Sequence, residues 1–266
     1  MGYLQALVLG VVQGLTEFLP ISSDGHLALT YNLFHSRPDL AFEVFLHAAT
    51  LIAMIVHFRG DIVRLLRSLL PAGKGSNDRR LVGLIVLATL ISGILALVAK
   101  SAVEAATTSL VAIGIGFLIT SAMLAAAEFA SKGMKVREPH ELGVGRTTLI
   151  AVAQAAAAFP GASRSGLTIG SGMLAGLSRE TAARFSFLVG MPVIAAATLY
   201  EAKDIITGVA PLPPFGVSAV GFVAAGISGY LAIRGLLAYV RTRPLHVFAV
   251  YTLVVGLITI AWGLVR

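Results

Sequence analysis

QGLTEFLPISSDG (residues 13–25) and QAAAAFPGASRSG (residues 154–166) are two versions of one segment. Gln13, Phe18, Ser22 and Gly25 recur as Gln154, Phe159, Ser163 and Gly166 at a constant offset of 141. Each version closes an apolar stretch that is too short to cross a membrane. Tyr3 to Leu19 is interrupted by Gln13 and Glu17 and ended by Pro20; Thr147 to Phe159 is ended by Pro160 and Gly161. At 1.5 Å per residue the second covers about 20 Å, against a hydrocarbon core of roughly 30 Å. A Ser/Gly-rich turn and another short apolar segment follow each break. The pattern predicts a helix that enters, breaks and returns.

The similarity continues outward. FEVFLHAATLIAMIVHFRGDI from Phe42 matches FSFLVGMPVIAAATLYEAKDI from Phe185 at an offset of 143, and both end in Asp-Ile. The chain therefore reads as a duplication within one membrane domain, residues 1–266, with repeats at 1–130 and 145–266.

Composition sets the solvent. Of 266 residues, 57% are hydrophobic and 12% charged, where soluble domains carry roughly 45–50% and about 25%. So few charges cannot cover a water-facing surface, which excludes a soluble enzyme or a disordered chain. Apolar runs long enough to cross occur at Phe42 to Phe58, Leu81 to Ala99, Leu110 to Ala130, Phe185 to Leu199, Phe215 to Leu237 and Leu245 to Leu264. The expected fold is an all-α polytopic membrane protein with six transmembrane helices and two re-entrant helix hairpins in an inverted-topology repeat. The absence of cysteine removes disulfides, thiolate nucleophiles and Cys-ligated metal. The N-terminal stretch lacks a basic n-region and an A-x-A site, so it does not read as a cleaved signal peptide.

The net charge of +7 is spread over gaps between apolar runs rather than gathered in one patch, which argues against nucleic acid as a partner. Arg59, Arg64, Arg67, Lys74, Arg79 and Arg80 occupy one gap; Lys132, Lys135, Arg137 and Arg146 another; Arg241 and Arg243 a third. Placing these inside puts Lys100 to Ser109, Glu201 to Pro214 and both termini outside. Three crossings per repeat turn the second half upside down, so the two hairpins enter from opposite faces and meet near the midplane. Broken backbone at that depth must be buried in protein or line a wet cavity.

The chemistry-bearing residues lie at those breaks. In the first, Ser22 or Ser23 is a natural N-cap, and His26 shares a helical face with both; Gln13 and Glu17 share a face on the inbound helix. The second adds Arg164, flanked by Ser163 and Ser165 and followed by Thr168. Serine and glycine at helix breaks often only cap and pack, but Glu17, His26 and Arg164 are ionisable groups at membrane depth and read as functional. Hydroxyls, free N–H groups, two helix N-termini and an arginine suit a phosphate. Glu43, His47 and Thr50 form a polar stripe that either lines the cavity or pairs across the bundle. Arg234 reads as snorkelling to the interface, and Gly114 and Gly116 as close helix packing.

GVVQGLTEFLPISSDGH (10–26) and PGASRSGLTIGSGMLAGLSRE (160–180) resemble the two signature regions of undecaprenyl-pyrophosphate phosphatases. These are the bacitracin-resistance membrane enzymes that regenerate the lipid carrier for cell-wall glycan synthesis. The resemblance places the family's Glu/Gln-x-x-x-Glu motif on Gln13 and Glu17, its serine–histidine stretch on Ser22, Ser23 and His26, and its P-G-x-S-R-S-x-x-T motif on Pro160 to Thr168. Gln13 stands where a second carboxylate often sits, and Asp24 where a small hydroxyl residue is common.

The resemblance implies a phosphatase of the bacterial cytoplasmic (inner) membrane that converts polyprenyl diphosphate to the monophosphate with the help of Mg²⁺ or Ca²⁺. Its implied partners are the lipid substrate, membrane lipids and a second copy of the chain. Glu17, Ser23, His26 and Arg164 are then the expected catalytic residues, with Glu17 also positioning the metal. Gln13, Ser22, Ser163, Ser165, Thr168 and Glu43 are the expected substrate-binding residues. The nucleophile is Ser23 activated by His26, His26 itself, or a water that His26 deprotonates. The competing reading is a polyprenyl-phosphate flippase, since inverted repeats with broken helices also build transporters. The broader lipid-phosphate phosphatases, with P-S-G-H and S-R-x₅-H motifs, fit less well because no histidine follows Arg164 at that spacing.

Overall fold

The computed structural model describes residues 1–70, 76–130, 138–207 and 213–265. Among them are ten α-helices: α1 (Tyr3–Phe18), α2 (Ser23–Leu33), α3 (Leu40–Ser68), α4 (Ser76–Ala106), α5 (Leu110–Ala130), α6 (Val144–Ala156), α7 (Arg164–Leu174), α8 (Arg179–Ile206), α9 (Phe215–Thr242) and α10 (His246–Val265). Six of these, α3, α4, α5, α8, α9 and α10, are long and apolar enough to cross a membrane, with mean hydropathy between 1.6 and 2.8. They take in the six apolar runs read from the sequence, save Leu245, which lies one residue before α10. The protein is a multi-pass membrane protein.

Several helices outrun their apolar segments. α3 continues through Arg59, Arg64 and Arg67 to Ser68, and its polar end is tied down by Arg64 pairing with Asp61 and Asp78. α4 runs past Ala99 to Ala106 through the stretch expected to be a loop. No proline or glycine interrupts KSAVEAA, and Lys100 pairs with Glu104 one turn on at 3.5 Å. Lys74, Lys132, Lys135 and Arg137 lie outside the described residues.

The other four helices form two hairpins. α1 and α2 are joined across Leu19 to Ser22, with Pro20 just past the inbound helix; α6 and α7 are joined across Ala157 to Ser163, and α6 stops at Ala156, short of the Phe159 end read from the sequence, so that Pro160 and Gly161 lie in the turn itself. At 16 and 13 residues, the inbound helices span only about 24 and 20 Å. α1 packs along α9 and α6 along α4, while α5 packs along α10 and α3 lies against α8 and α9. Beside the tip of the first hairpin Phe18 is fully buried and meets Phe187 of α8 edge-on at 5.7 Å, with Phe58 of α3 against the Phe187 ring at 5.8 Å. These rings fix the depth of the first tip.

Gly114 behaves as expected: a Cβ there would come within 2.8 Å of the Gly256 carbonyl on α10. Gly116 packs closely too, but against the second hairpin tip. A Cβ at Gly116 would lie 2.0 Å from the Pro160 carbonyl and 2.5 Å from the Ala162 nitrogen. Only a residue without a side chain lets that tip reach this depth. Arg234 is exposed near the end of α9, its guanidinium 6.0 Å from the Tyr230 ring.

Candidate active site

Both tips are built alike. Ser22 caps α2 by accepting the Gly25 N–H at 3.2 Å, and Ser163 caps α7 by accepting the Gly166 N–H at 3.0 Å. These are the side-chain caps that free helix N-termini need. Ser22 holds a φ of +74°, a conformation L-residues seldom adopt, and it turns the chain sharply between Pro20 and α2.

The tips touch. Ser165 donates its hydroxyl to the Leu19 carbonyl at 3.0 Å, and Arg164 reaches from α7 to place Nη2 2.6 Å from Glu17 Oε1. The other carboxylate oxygen of Glu17 accepts from Ser23 Oγ at 2.7 Å and from Gln13 Nε2 at 3.1 Å. One buried carboxylate thus gathers Gln13, Ser23 and Arg164 from three helices. His47 of α3 stands beside it, with Nε2 4.0 Å from both Glu17 Oε2 and Asp24 Oδ1.

Two polar atoms next to Glu17 are buried and have no hydrogen-bond partner among the described residues: Gln13 Oε1 and Arg164 Nη1. Buried unpaired groups are costly, so each is a place where a ligand atom is favoured. A guanidinium N–H suits a phosphate oxygen; an amide oxygen beside a carboxylate suits a hard cation. Arg164 Nη1 lies in a slot opened by Gly190 of α8, where a Cβ would come within 2.1 Å of it.

The remaining sequence candidates fall outside this hub. Ser163 and Ser165 share a hydrogen bond at 3.1 Å and hold the tip together, with the Ser163 N–H on Thr120 of α5 at 2.8 Å. Thr168 sits behind Arg164, donating to its carbonyl at 2.7 Å and meeting Ser186 of α8 at 2.5 Å, so it buttresses the arginine's helix turn. His26 turns from Ser23: Nδ1 is 2.7 Å from the Ser22 carbonyl and Nε2 2.7 Å from the Tyr251 hydroxyl on α10. Glu43 lies one turn before His47, whose Nδ1 is 3.0 Å from the Glu43 carbonyl. Glu43 makes no hydrogen bond to Glu17.

Sequence reasoning missed Gly190, Thr120, Ser186 and Tyr251. A glycine, a hydroxyl or a tyrosine in an apolar helix carries no local mark of such a role. It also passed over Glu128, which is fully buried. Glu128 pairs in bidentate fashion with Arg179 at 2.7 and 2.6 Å and accepts the Leu245 N–H at 2.8 Å. That pair joins the end of α5 to the starts of α8 and α10 and touches none of the hub residues.

Residues 6–258 match the family of the bacitracin resistance protein BacA. The chain belongs to that family. Among curated relatives it is 36% identical to an undecaprenyl-diphosphatase of Methanosphaera stadtmanae over 98% of both chains. It is 37% identical to that of Methanobrevibacter smithii over 97% of this chain and 96% of the relative. It is 39% identical to that of Rubrobacter xylanophilus over 93% of both. The BacA match runs from within α1 to within α10 and takes in the turns of both broken hairpins.

Proposed function

We propose that this BacA-family protein hydrolyses undecaprenyl diphosphate, or a closely related polyprenyl diphosphate, to the monophosphate and inorganic phosphate. Recycling of the cell-wall lipid carrier and bacitracin resistance follow from that activity. The observation that carries this reading is the meeting of two broken hairpins on one carboxylate, with Arg164 on one oxygen of Glu17 and Ser23 on the other. The names of the relatives support it.

In this reading the prenyl tail stays in the lipid while the diphosphate enters between the tips. Arg164 takes the terminal phosphate through its unpartnered Nη1, supported by the helix ends that Ser22 and Ser163 cap. Ser23 is the nucleophile the geometry favours, because its hydroxyl alone among the candidates is aimed at a carboxylate. Its Oγ attacks the terminal phosphorus, its proton passes to Glu17, and the bond to the bridging oxygen breaks to release polyprenyl monophosphate. Water then attacks the phosphoserine, its proton passing to His26 by way of the Tyr251 hydroxyl that occupies Nε2, while Glu17 returns its proton to Ser23 Oγ and inorganic phosphate leaves. Preorganised charge supplies most of the rate.

The donor set fits a hard divalent cation, Mg²⁺ or Ca²⁺. Gln13 Oε1 is buried and unpartnered beside Glu17, and the two would hold the ion together with substrate oxygens. Such an ion would neutralise charge on the diphosphate. His47 and Glu43 line the approach from α3; Ser163, Ser165 and Thr168 hold Arg164 in place.

The pairing of α1 with α9 and of α6 with α4, and the matching caps, support the inverted duplication. We place the protein in the bacterial inner membrane with both termini external and with a homodimer as the assembled form, which light scattering of the detergent-solubilised protein reads directly. The test of the activity is phosphate release from undecaprenyl diphosphate by purified protein in detergent, where no gradient exists. The phosphatase releases phosphate and Ser23→Ala does not; a lipid flippase releases none in either form.

A further inference from the structure

His26 is held by two contacts that fix its proton as well as its ring. The Ser22 carbonyl, 2.7 Å from Nδ1, can only accept, so Nδ1 carries the hydrogen. In the neutral ring Nε2 is then the basic nitrogen, and the hydrogen bond at 2.7 Å is donated to it by the Tyr251 hydroxyl. The Tyr251 ring stacks on the imidazole at 5.7 Å and 8° between planes, while Phe117 of α5 meets it edge-on at 5.2 Å. Stack, edge and hydrogen bonds from α2, α5 and α10 leave the ring one orientation.

We infer that Tyr251 is a positioning residue that holds His26 as its Nδ1–H tautomer, with Nε2 as the proton-accepting nitrogen. This rests on His26 being the general base of the hydrolysis proposed above. A phenol suits the task because its hydroxyl rotates. It donates to Nε2 of the neutral ring, so the proton that Nε2 takes up is the phenol's own: as the Tyr251 oxygen accepts a proton from water, its hydrogen passes to Nε2, and the hydroxyl then accepts from Nε2–H, so the contact survives the proton transfer. Phenylalanine keeps the stack and loses that exchange.

The test combines a spectrum with kinetics. The chain has six histidines, and ¹⁵N-histidine spectra of the full-length protein in detergent, with a His26→Gln sample to assign the signal, report the tautomer directly. The native protein is expected to show Nδ1–H. Tyr251→Phe is expected to give a tautomer mixture and a kcat lower by roughly tenfold, a fraction of the 10²–10⁴ that general-base catalysis supplies. KM is expected to stay within about twofold, since no substrate contact is removed. Tyr251→Ala, which also removes the stack, lowers kcat further. A native Nε2–H tautomer, or Tyr251→Phe with native spectrum and native kcat, overturns the inference. Native protein that releases no phosphate overturns the phosphatase reading instead, and the spectrum alone then decides the Tyr251 contact.

Discussion

Arg164 and Glu17, 147 residues apart in the chain, are joined at 2.6 Å at the point where the two hairpins abut. The pair is largely buried, with 15% of the arginine side chain and 7% of the glutamate side chain exposed. It does two things at once: it neutralises a buried carboxylate and guanidinium, and it leaves one guanidinium edge without a partner among the described residues.

Replacing Arg164 with lysine keeps the charge and discards the planar fork. Lysine cannot hold Glu17 and a phosphate oxygen with two fixed N–H groups. We expect kcat/KM to fall by about 10² or more, the cost of losing one preorganised donor, in steady-state phosphate release. Near-native turnover would remove the bridging role between Glu17 and the phosphate.

Gly190→Ala adds one carbon 2.1 Å from Arg164 Nη1. The guanidinium must move, and displacement of about 1 Å in a positioned group costs about 10²-fold. The variant is expected to fold, since flexible side-chain atoms yield first, and to lose activity out of proportion to any change in unfolding temperature. Full activity in Gly190→Ala would show that Arg164 has no fixed position to keep.

Glu128→Gln separates structure from chemistry. It breaks the bidentate pair with Arg179 and weakens the Leu245 cap. A buried group left with a poorer partner costs about 1–3 kcal/mol, so the thermal midpoint should drop while kcat/KM of the folded fraction stays native. Glu17→Gln should do the reverse, abolishing activity whatever its midpoint.

Chelation is expected to abolish turnover, and Mg²⁺ or Ca²⁺ to restore it. Gln13→Leu removes the buried amide oxygen and should raise the cation concentration needed for half-maximal rate severalfold, because a hard ion loses one of few protein oxygens. A cation titration of phosphate release reads this. An unchanged titration would place the ion away from Gln13.

Much of this arrangement was legible in the sequence, for reasons that differ by residue. Pro20 and Pro160 each follow an apolar stretch too short to cross, where a proline disfavours continuing the helix, so the two breaks could be located from the chain alone; Pro192 lies inside α8, where a long apolar run carries the helix past it. The six crossing helices could be counted because a bilayer demands long apolar runs. Glu17 and Arg164 stood out because charge at that depth is expensive. Partners far along the chain were not legible. His26 meets Tyr251 225 residues away, and no period or spacing records such a contact. Helical spacing put His26 on the face of Ser23, but a backbone carbonyl one turn back and a tyrosine from another helix took the ring's two nitrogens. Thr168 likewise lines up behind Arg164 as its spacing required, yet its hydroxyl turns to Ser186, a bond that only the packing of α7 on α8 creates. Helix ends were read short where α4 and α8 continue, since Lys and Glu leave a membrane pattern without breaking a helix.

The most direct test of the central claim, that a diphosphate is attacked where the two hairpin tips meet, is rapid-quench trapping with undecaprenyl diphosphate labelled in its terminal phosphate. The account predicts transient label on Ser23, lost in Ser23→Ala and strongly reduced in Arg164→Lys. No phosphoenzyme at any time, with solvent ¹⁸O entering the released phosphate in a single direct step, would contradict it.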